Sequence, residues 1–312
     1  MTQKTALLFA GQGAQFVGMG QDLAAQFPQA AAVFDRSHEI LGFDLANVCF
    51  NGPEADLTNT ENAQPGIFVT SWVAFQLLKE RAPGFEFQAT AGLSLGELTA
   101  LTVAGVFSFE DGLKVARQRG RFMQEACENT RGAMAAVLGL DAEVLAGVCR
   151  EADVEMANLN CPGQIVISGE TDKIGKACEM AKAKGAKRAV PLPVAGAYHS
   201  RLMVGAREKV REMLAKTLVE SPKVSVISNV TAKPHGGPDE IRQRLVEQVV
   251  SPVRWEDSIR YLLENGFRRF IELGPGTALS GFLKRIDKSA KMLNVGDVPS
   301  LEKTVQALAG NV

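Results

Sequence analysis

The stretch FQATAGLSLGELTAL, residues 87–101, decides the fold that the sequence predicts. Its first residues, 87–91, are predicted to be a strand, and the residues from Leu95 onward a helix. Between them, the turn Gly92-Leu93-Ser94-Leu95-Gly96 has the G-x-S-x-G pattern, in which small residues let the backbone pass closely around the serine. Strand, turn and helix together predict a nucleophile elbow that exposes the Ser94 hydroxyl. The following backbone N–H would lie near enough to bind an oxyanion.

Strand-like and helix-like segments alternate around this elbow, which predicts an α/β fold with a mainly parallel sheet. From about residue 131 the order becomes β-α-β-β-α-β, which is typical of a ferredoxin-like subdomain. We therefore expect an inserted ferredoxin-like subdomain over 131–194 and a larger α/β domain made of 1–130 and 195–312. Outside the insert, strands are predicted over 4–10, 223–229 and 268–273, and helices over 66–79, 109–128, 201–217, 238–250, 255–265 and after Pro299.

Composition excludes several classes of function. The 312-residue chain has a net charge of −1, so no basic surface indicates binding to nucleic acid or to an anionic membrane. Its five cysteines are scattered without a C-x-x-C pair, which indicates no metal site and a reducing compartment. No apolar run approaches the ~18 residues that span a bilayer, and the run at 6–10 is too short for a signal peptide. We expect a cytoplasmic protein.

A serine nucleophile needs a base, and the chain has three histidines. His38 lies in a polar helical stretch and His235 in a loop rich in proline and glycine, so both are expected to lie outside the site. His199 follows a strand and a flexible loop and opens a helix, so we expect it to be the base. No acidic residue stands out as its partner; a carboxylate or a backbone carbonyl would serve to orient the imidazole.

The helix predicted over 109–128 carries one charged residue on its apolar side. Lys114, Arg117 and Arg121 fall on the polar half of the helix, whereas Arg119 falls within the apolar arc. A buried guanidinium requires a partner, because an unpaired charge there costs several kcal/mol. Arg119 is therefore either a member of an internal salt bridge, a side chain that reaches out to solvent, or the group that binds a substrate carboxylate.

These motifs occur together in one known family. The chain resembles the malonyl-CoA:acyl carrier protein transacylases of fatty acid synthesis and, more distantly, the acyltransferase domains of polyketide synthases. The likeness covers nearly the whole chain. It is carried by residues 11–15, Gln64-Pro65, 92–97, 119–124, 158–164, 195–200, 248–255 and Gly274-Pro275-Gly276.

The resemblance implies an α/β-hydrolase-like core with the ferredoxin-like insert, and it implies roles for the reacting groups. Ser94 would be the acylated nucleophile, and His199 its general base and acid. The backbone N–H of Gln12 would share the oxyanion hole with that of Leu95.

The resemblance also implies roles for the groups around them. Arg119 would pair with the malonyl carboxylate, and the backbone carbonyl of Gln248 would orient the histidine. Asn160 matches a polar position at the cleft. The chain departs from the family where Leu93 replaces a histidine, Ala10 a proline and Leu98 an aromatic residue; none of these is a catalytic group.

The function implied is ping-pong transfer of a malonyl group from malonyl-CoA to the phosphopantetheine thiol of holo acyl carrier protein, by a monomer without metal or other cofactor. Alternatives are an acyl-thioester hydrolase, which would have no use for Arg119, a non-enzymatic carrier-binding module, and the same transfer in a polyketide pathway. Carrier proteins of this pathway are generally acidic, so Lys187, Arg188 and Arg201 are candidates for a basic docking surface, with scattered solvated charges as the alternative.

Overall fold

The computed structural model describes residues 3–310 and has an α/β architecture with two sheets. Its strands are β1 (Lys4–Phe9), β2 (Ala89–Gly92), β3 (Gly132–Leu138), β4 (Glu155–Cys161), β5 (Gln164–Glu170), β6 (Arg188–Pro191), β7 (Ser225–Ile227), β8 (Phe267–Leu273) and β9 (Lys291–Val295). Its α-helices are α1 (Gln21–Gln26), α2 (Pro28–Leu41), α3 (Leu45–Asn51), α4 (Glu54–Thr58), α5 (Thr60–Arg81), α6 (Leu95–Val103), α7 (Phe109–Glu128), α8 (Ala142–Ala152), α9 (Thr171–Ala183), α10 (Val204–Ala215), α11 (Pro238–Gln248), α12 (Trp255–Glu264), α13 (Ala278–Ile286) and α14 (Val298–Ala309).

The larger sheet is parallel, in the order β7-β2-β1-β8-β9. Along β1, Leu7 and Phe9 belong to the core on one face, whereas Ala6 and Leu8 belong to the core on the other. Burial on both faces is what a parallel sheet covered by helices requires. The carboxyl ends of β1, β2 and β7 lie side by side, which brings the loops that follow them to one edge of the sheet.

The second sheet is antiparallel, in the order β4-β5-β3-β6, and α8 and α9 accompany it. Its apolar residues Val137, Leu145, Ile167 and Ile174 form a cluster of their own. Met134 and Val166 belong instead to the main core, so this sheet also packs against the larger unit. The predicted α/β class is thus confirmed, with a parallel sheet and a separate antiparallel sheet.

Helix α5 corrects one predicted boundary. It begins at Thr60 rather than at residue 66, and Pro65 lies inside it. Proline has no N–H, so the carbonyl of Glu61 lacks its usual donor four residues on. Arg117 of α7 donates to that carbonyl at 2.5 Å, and also to the side chain of Asn62. A residue distant in sequence therefore satisfies the helix where the proline cannot.

Other boundaries also differ from those predicted. The segment expected as one helix over 201–217 begins with a 3-10 turn, Arg201–Met203, before α10. The strand expected over 223–229 is shorter, because only its central residues, Ser225–Ile227 (β7), pair with β2. Of α2, only the helical stretch around His38 is predicted, and α1, α3, α4, α13 and β9 are not predicted. Strand β9 is only half-buried along most of its length, which leaves little hydrophobic pattern to detect. Within residues 3–310, no helix combines the length and apolar character needed to cross a membrane.

Candidate active site

Ser94 lies at the turn between β2 and α6, where the backbone is strained. Its φ of 54° and ψ of −103° are rarely adopted by a residue with a side chain. The flanking glycines make this turn possible. A Cβ on Gly92 would lie 1.9 Å from the carbonyl carbon of Gly96, and a Cβ on Gly96 would lie 2.1 Å from the carbonyl oxygen of Phe9. Any larger residue at either position would force the elbow apart.

His199 lies within hydrogen-bond distance of the serine. The Ser94 hydroxyl oxygen is 2.8 Å from Nε2 of His199, and Nδ1 of His199 is 2.8 Å from the backbone carbonyl oxygen of Gln248. Because a carbonyl only accepts, Nδ1 carries the proton and donates it, which leaves Nε2 free to accept from the serine. This tautomer is the one that a general base requires.

The electrostatic environment keeps His199 neutral. The side chain is buried, with 3% of the residue exposed. Burial, followed by the positive charge of Arg119, lowers the pKa of the imidazole to about 4, although the hydrogen bond to Gln248 opposes this shift. The imidazole is therefore unprotonated at pH 7 and able to take a proton.

Arg119 of α7 is buried beside the serine, as the helical pattern predicted. It donates through Nη2 to Ser94 Oγ (3.1 Å) and to the side-chain oxygen of Gln248 (2.8 Å), and through Nη1 to the side-chain oxygen of Gln64 (2.7 Å). Within residues 3–310 these partners are all uncharged, which excludes the internal salt bridge considered above. Burial lowers the pKa of the guanidinium to about 10, so it stays charged at pH 7.

The free donor of Arg119 points to a further acceptor. Its buried Nε has no hydrogen-bond partner in the part of the chain that the structure describes. A buried N–H without an acceptor is costly. The guanidinium is thus a cation held in place by neutral amide oxygens, with donors that an anion could take.

Gln248 connects three parts of the site. Its backbone carbonyl accepts from His199, its side-chain oxygen accepts from Arg119, and its side-chain nitrogen donates to Glu97 at 2.7 Å and to the backbone carbonyl of Ser94 at 3.0 Å. The resemblance implied only the first of these contacts. No sequence pattern indicated the contacts of its side chain.

Sequence reasoning missed three residues beneath the elbow: Asn229, Glu97 and His235. The Asn229 side chain accepts from the backbone N–H of Ser94 (2.7 Å) and donates to the carbonyl of Gly92 (2.7 Å). The Glu97 carboxylate accepts from Gln248, from the backbone N–H of Asn229 (3.1 Å) and from Nε2 of His235 (2.6 Å). Glu97 is the one charged residue in the sequence of α6, which was a signal available beforehand.

His235 therefore differs from the expectation. It does lie in a loop, but the structure buries its side chain completely against Glu97. His38, by contrast, lies on α2 and is exposed as expected. The prolines and glycines next to His235 in the sequence gave no indication that its side chain is buried.

Gln12 and Leu95 lie close to the serine in different ways. Leu95 is the first residue of α6, where backbone N–H groups have no acceptor within the helix. Gly11 packs so closely on the elbow that a Cβ there would lie 2.2 Å from the carbonyl oxygen of Leu93, which brings the neighbouring Gln12 to the elbow. The Gln12 side chain donates to Thr60, whose hydroxyl in turn contacts the hydroxyl of Tyr198 at 2.5 Å.

Asn160 is buried on β4, and its side-chain oxygen has no hydrogen-bond partner among residues 3–310. No hydrogen bond joins it to Ser94, His199 or Arg119 within those residues. Arg201, a candidate for carrier docking, donates to the carboxylates of Asp153 and Glu155. Its charge is thus already compensated on the surface.

The chain is similar to known proteins over nearly its whole length. Residues 6–310 match the acyl transferase domain family. The chain is 45% identical to the malonyl CoA-acyl carrier protein transacylase of Bacillus subtilis, over 98% of this chain and 97% of that protein. The chain belongs to the malonyl CoA-acyl carrier protein transacylase family.

Two solved structures of this family superpose closely on the protein. The transacylase of Coxiella burnetii has a TM-score of 0.95 at 36% identity, covering 99% of this chain and 98% of that one. PlMCAT, solved in complex with AntF, a type II polyketide synthase acyl carrier protein, has a TM-score of 0.94 at 36% identity and covers 97% and 99%. The two-sheet architecture is therefore that of the transacylase family.

Proposed function

We propose that the protein transfers a malonyl group from malonyl-CoA to the phosphopantetheine thiol of holo acyl carrier protein, in fatty acid biosynthesis (EC 2.3.1.39). Arg119 carries this proposal, because a buried cation with uncharged partners lies 3.1 Å from the nucleophile. A malonyl group differs from acetyl by a carboxylate that such a cation would bind. Names of the relatives support the same substrates.

In the first half-reaction, the Ser94 oxygen attacks the thioester carbonyl while Nε2 of His199 takes the hydroxyl proton. The developing oxyanion would be stabilised by the backbone N–H groups of Gln12 and Leu95. Collapse of the tetrahedral intermediate breaks the carbon–sulfur bond, and His199 returns its proton to the departing CoA thiolate. The products are malonyl-Ser94 and CoA.

The second half-reaction reverses these steps with a new thiol. His199 takes the proton of the phosphopantetheine thiol, whose sulfur attacks the acyl-serine ester, and returns that proton to the Ser94 oxygen as it leaves. Exchange between two thioesters is nearly thermoneutral, so the site must stabilise charge and exclude water rather than drive the reaction. The hydrogen bond from Nδ1 to Gln248 supports the orientation of His199 through both steps.

Finer features of the fold and assembly belong to the same proposal. We assign the parallel-sheet unit, 1–130 and 195–312, as an α/β-hydrolase-like catalytic domain and 131–194 as a ferredoxin-like subdomain. The strand order β4-β5-β3-β6 with its two helices supports the second assignment. We further propose a cytoplasmic monomer. Asn160, buried with an unpartnered side-chain oxygen, stays a proposed cleft residue.

The decisive experiment follows acyl groups by intact-mass spectrometry. Incubation with malonyl-CoA is expected to add one malonyl group to the protein, and subsequent holo acyl carrier protein is expected to remove it and become malonylated. A hydrolase would instead lose the adduct to water and leave the carrier unmodified. A carrier-binding module would form no adduct, and either result would refute the proposal.

A further inference from the structure

A single buried carboxylate, that of Glu97, joins the supports of the nucleophile and the base. It lies on the first turn of α6 and is fully buried. Its Oε2 accepts from the side-chain nitrogen of Gln248 and from the backbone N–H of Asn229, while its Oε1 accepts from His235. A carboxyl group this deeply buried is kept only where its hydrogen bonds are satisfied.

The first arm of this network leads to the nucleophile. Glu97 fixes the backbone of Asn229, and the Asn229 side chain bridges the N–H of Ser94 and the carbonyl of Gly92. The serine backbone has a positive φ of 54°, a conformation that persists only when surrounding contacts hold it. Asn229 supplies two of those contacts.

The second arm leads to the base and to the cation. Glu97 holds the side-chain amide of Gln248, which turns its oxygen toward Arg119. The backbone carbonyl of the same residue orients His199, which itself has a positive φ of 57°. The two arms therefore converge on the atoms that react.

We propose that Glu97 is a positioning residue for acyl transfer. Its carboxylate, held by His235, fixes the conformation of the Ser94 turn through Asn229. Through Gln248 it fixes the orientations of His199 and of Arg119. Glu97 touches no substrate in this scheme and acts only through these neighbours. The assignment rests on the proposed function for its natural substrate. The geometry it concerns is that of serine and base, which any reagent that reacts with the serine hydroxyl probes.

Two substitutions at Glu97 separate its hydrogen bonds from its volume. Glu97→Met has nearly the same size but offers no comparable acceptor to Gln248, Asn229 and His235. Glu97→Gln retains one oxygen for Gln248 and Asn229, and its amide can donate to His235 in the other imidazole tautomer. Thr99→Val is the matched control, because Thr99 is buried on the same helix and its hydroxyl has no hydrogen-bond partner among residues 3–310.

The measurements are the fraction of protein that malonyl-CoA can acylate, the acylation rate of that fraction, and the KM for malonyl-CoA. A fluorophosphonate that modifies reactive serines gives a second rate that does not depend on malonyl recognition. We expect Glu97→Met to lower both rates per reactive site by about 10²-fold, since small misplacements of reacting groups cost that much. KM for malonyl-CoA should rise less than the acylation rate falls, because Glu97 acts on Arg119 only through Gln248. Glu97→Gln should recover most of the rate, and Thr99→Val should match the wild type.

If Glu97 had a purely structural role, Glu97→Met would lower only the fraction of protein that reacts. Wild-type rates in the reactive fraction of this variant would therefore overturn the proposal. If that variant does not fold, His235→Leu provides the test, with an expected loss of roughly tenfold per site, and His235→Gln, which keeps a donor, should restore the rate. An unchanged rate in His235→Leu would then overturn the proposal. Absence of a malonyl adduct on the wild type would refute the proposed function alone, because the fluorophosphonate rates would still test Glu97.

Discussion

Replacement of Arg119 by glutamine should convert a malonyl-selective enzyme into one that scarcely distinguishes malonyl from acetyl. The guanidinium is 3% exposed, and in the free protein its donors meet the amide oxygens of Gln64 and Gln248 and the hydroxyl of Ser94. A malonyl carboxylate would replace these neutral acceptors with charged oxygens and would accept a hydrogen bond from the unpartnered Nε. An acetyl group offers no such acceptor, so it gains nothing from the cation.

The expected magnitude follows from the number of hydrogen bonds that change. Hydrogen bonds with one charged partner contribute about 1.5–3 kcal/mol each, and the guanidinium already forms such bonds with neutral oxygens; an anionic acceptor strengthens each of them by roughly 1–2 kcal/mol. Two bonds strengthened by ~1–2 kcal/mol each give about 2–4 kcal/mol, which corresponds to roughly 30- to 10³-fold in kcat/KM. Acetyl transfer should hold or rise, because removal of the cation also removes one cause of the lowered His199 pKa.

The assay compares kcat/KM for malonyl-CoA and acetyl-CoA with one carrier protein. Arg121→Gln is the matched control, since Arg121 lies on the same helix but is exposed and contacts Glu125; both activities should stay at wild-type values. Equal losses for malonyl and acetyl in Arg119→Gln would refute the reasoning. Arg119 would then be needed for the geometry of the site rather than for the carboxylate.

Four further outcomes are expected. Ser94→Ala should form no malonyl adduct while unfolding near the wild-type temperature, and an adduct on this variant would exclude Ser94 as nucleophile. His199→Ala should slow acylation by about 10³-fold, whereas His38→Ala, an exposed control, should acylate at the wild-type rate. The pKa of His199 is about 4 in the folded protein and 6.5 is its ordinary value. Between these pH values the unfolded chain binds a proton at His199 that the folded protein does not bind. The free energy of unfolding should therefore fall by up to ~3 kcal/mol, through His199, as pH drops from 6.5 to 4. Urea titrations of wild type and His199→Gln at several pH values would test this. The same dependence of the free energy of unfolding on pH in both proteins would contradict it. Gly96→Ala should reduce the acylatable fraction, because its Cβ would lie 2.1 Å from a carbonyl of β1, while Gly175→Ala, with open space around it, should leave that fraction unchanged.

The sequence predicted those parts of the site whose signals are local. Gly92, Ser94 and Gly96 are contiguous, so the strand, turn and helix around them could be recognised from spacing alone. Arg119 could be recognised because a helix has a regular period and a charge on its apolar side is conspicuous. The N-terminal cap of α7 is equally local: the Ser108 hydroxyl accepts from the backbone N–H of Asp111, three residues on.

Contacts between distant segments could not be predicted in this way. In the first turns of α5, Arg117 donates to a carbonyl that Pro65 leaves without a donor, and nothing near residue 60 reveals that partner. Burial of His235 likewise depends on Glu97, which is far from it in sequence. Both facts become visible only once the chain has folded.

The choice of a carbonyl rather than a carboxylate to orient His199 has a physical reason in the proposed mechanism. His199 and Arg119 both contact the Ser94 oxygen, so an acid at Nδ1 would lie near the guanidinium and attract it. A malonyl carboxylate would then compete with a buried anion, at a cost of several kcal/mol, instead of displacing neutral amide oxygens. The negative charge of Glu97 is instead held one amide away, on the far side of Gln248. The arrangement orients the base while leaving the cation available to an anionic substrate.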